Sequence, residues 1–246
     1  MIRFEHRKAG VYVVDVGALR SLRLGSPDAP QQALIRKDDL DQVLMGYVRF
    51  AALGLAYTTK PRRMLQVGLG GGVFARMMRG LAPEASIDAV EVEPVVVDVA
   101  RRFFGLDELF GAHLRVHVED AAAFVKRTRR QFDLVFLDAY DAGGAVEHLS
   151  KEAFFDAVRR RLAPGGVVIA NVAAGSVEER RFVARFCASF AACDVYRVPD
   201  EANLVLFGRE RALPERTLQR RVRDLARKTG LGASLEMMLS CRARMG

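Results

Sequence analysis

From Met64 to Gly208 short apolar runs alternate with stretches of helical period, and nothing else in the chain limits the fold so tightly. Met64–Val67, Ser86–Val90, Leu114–Val118, Leu134–Leu137 and Val167–Ala170 read as strands. Helices are expected between them: Val73 to Leu81, a helix opened by Pro94 with Val95, Val99 and Phe103 on one face, and Ala121 to Arg127. A fourth, capped by Ser150, turns Phe154, Phe155, Val158 and Leu162 inward, ahead of a Pro164-Gly-Gly166 turn. A Ser176–Glu179 capping box opens a fifth, with Phe182, Phe186 and Phe190 four apart. Leu134-Val-Phe-Leu137 is apolar throughout, as a strand covered on both faces must be. Repeated strand–helix units imply a doubly wound, mostly parallel sheet. Val195–Arg197 and Leu204–Phe207 follow each other without a clear helix, so one strand should run antiparallel.

Two zones flank this core. Gly10–Val16 and Leu19–Leu24 alternate in period two, so residues 1–45 read as a small N-terminal β segment. Asp38 to Leu55 is expected to be helical, with Leu40, Leu44, Tyr47 and Val48 on one stripe. The central zone then runs 46–208. Residues 209–246 form a basic helical tail with Leu218, Val222 and Leu225 on one stripe. The chain carries a net charge of +8, and six of those charges lie in this tail. The body is nearly neutral, and the tail has no aromatic residue to stack on bases, so nucleic-acid binding is not expected. The tail reads as a solvated or subunit-contacting helix. Half the residues are hydrophobic, too many for a disordered chain. Three cysteines, Cys187, Cys193 and Cys241, make neither a disulfide framework nor a zinc pattern, and no other metal-ligand set appears. No apolar run is long enough to span a membrane, and Met1–Gly10 lacks the apolar core of a signal peptide. A soluble cytoplasmic protein is expected.

The chemistry should lie where the strands end. Gly68-Leu-Gly-Gly-Gly72 follows one strand and precedes a helix, the position at which open α/β sheets bind ligands. Gly68, Gly70 and Gly72 leave room for a ligand to approach the backbone, although Val73 stands where the dinucleotide fingerprint needs a third glycine. Glu91 ends the next strand, 23 residues past Gly68, and can accept hydrogen bonds from both ribose hydroxyls of an adenosine. Glu93 is its runner-up. Asp120 can cap the following helix or accept from an adenine amino group. Asp138 and Asp141 end the Leu134–Leu137 strand; Asp138 can hold an amine and remove its proton, and Asp141 can hold a second positive charge. Either aspartate could instead serve an Asx turn or a helix cap. His148 follows them and can reach the same crevice, whereas the other histidines do not cluster.

Met64-Leu-Gln-Val-Gly-Leu-Gly-Gly-Gly72, Val90-Glu-Val-Glu-Pro94, Glu119-Asp-Ala121, Phe132–Asp138 and Leu162-Ala-Pro-Gly-Gly166 come in an order that resembles the spermidine synthase (polyamine aminopropyltransferase) family. The resemblance implies a seven-stranded, methyltransferase-like Rossmann sheet. It implies decarboxylated S-adenosylmethionine as co-substrate, a small-molecule amine acceptor, no metal and a homodimer. Residue by residue, it implies ribose binding by Glu91, adenine binding by Asp120 and Ala121, and a sulfonium site along Gly68–Gly72. Asp138 becomes the base, with Asp141 and Tyr47 holding the amine. The chain departs from the family pattern in three places. Gly71 replaces an acidic loop residue, Val48-Arg49 replaces a polar pair after Tyr47, and Ala139-Tyr140 replaces two hydroxyl residues. An arginine beside the pocket would repel a polyamine and could pair with the carboxylate of intact S-adenosylmethionine. Three readings follow: an aminopropyltransferase, a methyltransferase using the intact donor, or a non-catalytic nucleoside-binding or interaction protein.

Overall fold

The computed structural model describes residues 1–243 except 59, 112, 142, 143, 174, 176 and 231; the side chains of 140, 141, 144, 145, 232 and 233 also lie outside the described set. In chain order the strands and helices are β1 Ile2–His6, β2 Val11–Val16, β3 Leu19–Leu24, β4 Gln31–Arg36, α1 Gly46–Ala51, α2 Gly54–Tyr57, β5 Arg63–Val67, α3 Val73–Leu81, β6 Ser86–Glu91, α4 Pro94–Phe103, β7 Leu114–Val118, α5 Ala121–Arg127 and β8 Phe132–Leu137. They continue with β9 Tyr140–Asp141, β10 Gly144–Ala145, α6 Glu152–Arg159, β11 Leu162–Ala173, α7 Val177–Ala188, β12 Ala192–Arg197, β13 Asn203–Arg209, α8 Glu215–Thr229 and α9 Gly232–Ser240.

Seven strands form one sheet in the order β12-β13-β11-β8-β5-β6-β7. Pairing is parallel from β11 to β7, while β13 runs antiparallel to both its neighbours. Successive side chains of a strand point to opposite faces. Leu134, Phe136, Val167 and Ile169 therefore face one core, with α3, α4 and the N-terminal strands, and Val135, Leu137, Val168 and Ala170 face the other, with α5, α6 and α7. This is why the central strands are apolar at every position. In the second core Phe155 meets Phe182 and Phe186 edge to face, those two rings lie nearly parallel, and Phe190 packs at a tilt against Phe186. β1 to β4 form a separate antiparallel sheet. Arg20 pins it to the main body, pairing with Asp15 at 2.8 Å and donating to the carbonyl of Phe103 at 3.0 Å.

Several local expectations give way to tertiary contacts. Residues 38–45 are not helical; α1 begins at Gly46, where the Glu201 carboxylate accepts from the amides of Gly46 (2.6 Å) and Tyr47 (3.1 Å). A cap borrowed from 155 residues away decides that boundary. Ser150 does not cap α6; its hydroxyl donates to the carbonyl of Val146 within a preceding 3₁₀ turn. The Pro164-Gly-Gly166 turn is an irregularity inside β11, whose pairing with β8 shifts between Leu162 and Val167. Ser176 lies outside the described residues. Cys187 and Cys193 form a single disulfide joining the end of α7 to β12, a bridge that the reading of the three cysteines as no disulfide framework did not point to. Their six-residue separation spans only the turn between those elements, which brings the two Cα atoms to 5.2 Å.

The basic tail is built into the body. Leu218, Val222 and Ala226 of α8 and Leu235 and Met238 of α9 are buried in the first core. The tail then returns along the edge of β12, where the amide of Arg197 donates to the carbonyl of Cys241 and the amide of Ala243 to that of Val195. Covering this edge removes a row of unpaired backbone groups. No helix among the described residues is long and apolar enough to cross a membrane.

Candidate active site

The parallel ladder sets three strand ends side by side. The amide of Gly68 donates to the carbonyl of Val90 (2.9 Å), and the amide of Asp138 donates to that of Val67 (2.9 Å). The glycine loop, Glu91 and Asp138 thus share one crevice at the carboxyl ends of β5, β6 and β8. Gly68 has φ +82°, and a Cβ there would stand 2.2 Å from the Asp138 carbonyl oxygen. Only glycine allows so close a crossing. Gln66, buried beneath the loop, donates through Nε2 to the carbonyls of Gly68 (2.9 Å) and Leu69 (3.3 Å) and shapes the turn.

Above the crevice lies a cavity of about 580 Å³, closed on its far side by the N-terminal sheet. Gly68, Gly70, Glu91, Glu93, Tyr47 and Asp138 all line it. Glu91 spans the loop and β6: Oε2 accepts from the amide of Leu69 (3.0 Å) and Oε1 from that of Glu93 (3.0 Å). Glu93 also caps α4, accepting from the amide of Val95 at 3.0 Å. Gly72 supplies the left-handed residue that starts α3 and is not part of the lining. Gly71 packs tightly, since a Cβ there would meet Ala33 of β4 at 2.7 Å and the Phe104 ring at 2.8 Å.

Asp138 is the most perturbed acid of the site. Removal from water pushes its carboxyl up to about 6, against the pull of hydrogen bonds from Asn171 and Tyr47. Asn171 donates to Oδ1 at 2.9 Å, and Asn203 donates to Asn171 Oδ1 at 2.8 Å. This relay crosses β8, β11 and β13, and reading the sequence missed it. The signal was available in Asn171, the polar residue that interrupts the apolar run Val167–Val172.

Asp120 and Ala121 stand apart from the cavity lining. Asp120 caps α5, accepting from the amide of Ala123 (2.8 Å), and pairs with His148 Nε2 at 2.7 Å. The amide of Ala123 and His148 hold its carboxyl below the ordinary value, against the burial that would raise it. His148 therefore meets Asp120, not Asp138. The side chain of Asp141 lies outside the described residues. Arg49 does not face this cavity: it is exposed and lines a different one, with Asp41, Arg76 and Met238. The helical turn that buries Tyr47 and Val48 sends Arg49 to the opposite side of α1, so it neither repels an amine here nor meets a donor carboxylate. Among the described residues no cluster of His, Cys, Asp or Glu could hold a metal ion.

Comparison with known proteins agrees with this architecture. Residues 49–195 match the model of the spermine/spermidine synthase domain. The polyamine aminopropyltransferase of Chromobacterium violaceum is 35% identical over 175 residues, covering 71% of this chain and 66% of that protein, slightly under two thirds of its length. Among solved structures, a probable spermidine synthase from Corynebacterium glutamicum superposes with a TM-score of 0.72 at 16% identity, covering 99% of this chain and 95% of that one. Human Methyltransferase-like protein 13 in complex with SAH gives 0.67 at 24% identity, over 76% and 93% of the two chains. The two structural likenesses speak for a shared methyltransferase-like fold, and the family model with its matched residues says more: the chain belongs to the spermine/spermidine synthase family.

Proposed function

We propose that the protein transfers an aminopropyl group from decarboxylated S-adenosylmethionine to an amine. One observation carries this reading. The described lining of the cavity holds three carboxylates, Glu91, Glu93 and Asp138, and no Lys, Arg or His. Such a lining favours ligands that are cationic throughout, a sulfonium with a terminal ammonium and an amine, over a donor that ends in a carboxylate. Asp138 is the base. With its carboxyl held near 6, it is ionised at neutral pH and a stronger base than an ordinary aspartate, placed to accept the proton that a hydrogen-bonded ammonium gives up as its nitrogen reacts. The freed nitrogen lone pair attacks the propyl carbon bound to sulfur. The carbon–sulfur bond breaks, its electron pair stays on sulfur as methylthioadenosine, and the proton released from nitrogen leaves through Asp138. No covalent enzyme intermediate is involved, so the protein contributes positioning and deprotonation.

Glu91 binds the ribose, Gly68–Gly71 line the sulfonium, with Gly72 serving instead to start α3, and Tyr47 with Asp141 helps hold the amine. An adenine amino group accepted by Asp120 beside Ala121 would displace His148 from that carboxylate. In this reading residues 1–45 roof the site, 46–208 bind the nucleoside and 209–246 lock the far edge of the sheet. Light scattering tests the accompanying expectation of a homodimer, and cell fractionation that of a cytoplasmic location.

Gly71 supports a second reading, a methyltransferase using the intact donor, because Ala33 and Phe104 occupy the space an acidic side chain would need there. Calorimetric titration with the two donors, followed by product analysis with added amine, separates the readings. Methylthioadenosine formed from the decarboxylated donor supports transfer of the propyl group. Binding of the intact donor alone supports the methyltransferase. Binding of neither removes both.

A further inference from the structure

The amino ends of β5, β8 and β11 lie side by side, because those strands are neighbours in the sheet. They enclose a recess of about 360 Å³, lined by Arg62 and Arg63 at the start of β5, Arg129 and Asp133 around the start of β8, and Arg160 and Arg161 ahead of β11. None of these residues lines the cavity at the opposite pole. The one carboxylate among them is already engaged: Asp133 Oδ2 accepts from the amides of Arg62 (2.8 Å) and Arg63 (2.9 Å). Those two bonds hold the segment that carries both arginines at the recess. Helix capping accounts for one of the five guanidinium groups. Arg161 donates to the carbonyls of Val125 (3.0 Å) and Lys126 (3.2 Å) at the end of α5. The side chains of Arg62, Arg63, Arg129 and Arg160 make no hydrogen bond or ion pair among the described residues.

Holding four such charges together costs mutual repulsion, which a bound anion relieves. A planar guanidinium matches a phosphate group with two parallel hydrogen bonds. Arginines brought from three chain segments to one recess can therefore grip several linked phosphates at once. The described lining has no aromatic ring on which a base could stack, so the phosphates are the part it can read. We propose that this recess binds a triphosphate group, either the inorganic ion or the tail of a nucleotide. The proposal stands independently of the amine-transfer reading, since it uses none of the residues of that site.

Calorimetry on the intact chain tests this with inorganic triphosphate and orthophosphate. Triphosphate should bind once per chain, at least about tenfold tighter than orthophosphate, because a single phosphate meets fewer of the guanidinium groups. Arg62→Ala with Arg160→Ala, and separately Arg63→Ala with Arg129→Ala, should each weaken triphosphate binding at least about tenfold. All four side chains are exposed, so melting curves should show both variants folded. The control is Arg216→Ala with Arg220→Ala, which removes the same charge from exposed positions on α8 and should leave affinity within about twofold. Displacement of bound triphosphate by ATP supports the site and includes the nucleotide tail among its ligands. Triphosphate that binds but resists ATP supports it for the inorganic ion. Three results overturn the proposal: no triphosphate binding, orthophosphate binding as tight as triphosphate, or equal losses in the recess and α8 variants, which would mark a general attraction to a basic chain.

Discussion

The sheet has two poles of opposite character. At the carboxyl ends of the strands, the cavity holds three described carboxylates and no cationic side chain. At the amino ends of β5, β8 and β11 a second cavity, of about 360 Å³, gathers Arg62, Arg63, Arg129, Arg160 and Arg161 around the single acid Asp133. Local capping rules combined with topology account for much of the contrast. Acids favour helix N-termini and bases helix C-termini. In a doubly wound sheet the helices run back against the strands, so their N-termini collect at the strand carboxyl ends and their C-termini at the opposite pole. Glu93 and Asp120 cap α4 and α5 at the first pole. Arg161 donates to the carbonyls of Val125 and Lys126, in the last turn of α5, at the second.

The number of charges does not decide which pole suits the proposed chemistry. Arg62, Arg63, Arg129 and Arg160 are exposed, and water screens them. Asp138 is one carboxyl, partly withdrawn from water, and its proton affinity is shifted into a useful range. Desolvation, rather than charge count, separates a reactive group from a solvated one.

Replacing the withdrawn acid should give the largest effect. Asp138→Asn is expected to lower methylthioadenosine release by about 10²–10⁴-fold while sparing nucleoside binding. In the wild type, the base form grows in as pH rises, so kcat/KM should climb to a plateau with a midpoint near 6. Stability moves the other way. The folded carboxyl binds its proton more tightly than the unfolded one, so its contribution is full below the unfolded value of about 4 and is lost as pH rises through about 6. Melting curves from pH 7 to 4 should therefore show the wild type gaining on the variant.

Next in size is the crossing that positions this acid. Gly68→Ala sets a methyl group against the Asp138 backbone at a positive φ, and should cost on the order of 2–3 kcal/mol in denaturant unfolding, with most activity lost. Glu91→Gln should weaken methylthioadenosine binding about 10- to 100-fold by calorimetry, since one hydrogen bond to a charged group is worth about 1.5–3 kcal/mol. The smallest effect belongs to the other pole. Arg62→Ala with Arg160→Ala should leave kcat/KM within about twofold, because strands of five to six residues hold the poles roughly 17–20 Å apart, beyond the screening length of about 8 Å. A larger change there would break the proposed independence of the two poles.

How much of this was legible in the sequence differs from element to element. Met64–Val67 and Leu134–Leu137 could be read as buried strands because an apolar run between turn signals has few other places to go. The glycine loop could be placed after the first of them, and Glu91 and Asp138 at strand ends, because parallel β–α units put such positions at one pole. Asp120 could be read as a cap because its partner amide is only three residues away.

Other features depended on residues distant in the chain. The start of α1 rests on Glu201, the orientation of Asp138 on Asn171 and Tyr47, and the edge of β12 on Cys241 and Ala243. Arg49 shows the same limit. One residue past Val48 it looks like a pocket residue, and a 100° step around the helix sends it elsewhere. The sequence by itself determined the strand–helix alternation, the glycine loop and the acids that follow the strands, since those depend on short-range periodicity and capping. Only the tertiary structure decided which acids share a cavity, which is withdrawn from water, and that an apolar sheet roofs them, because burial is a property of the whole chain packed against itself.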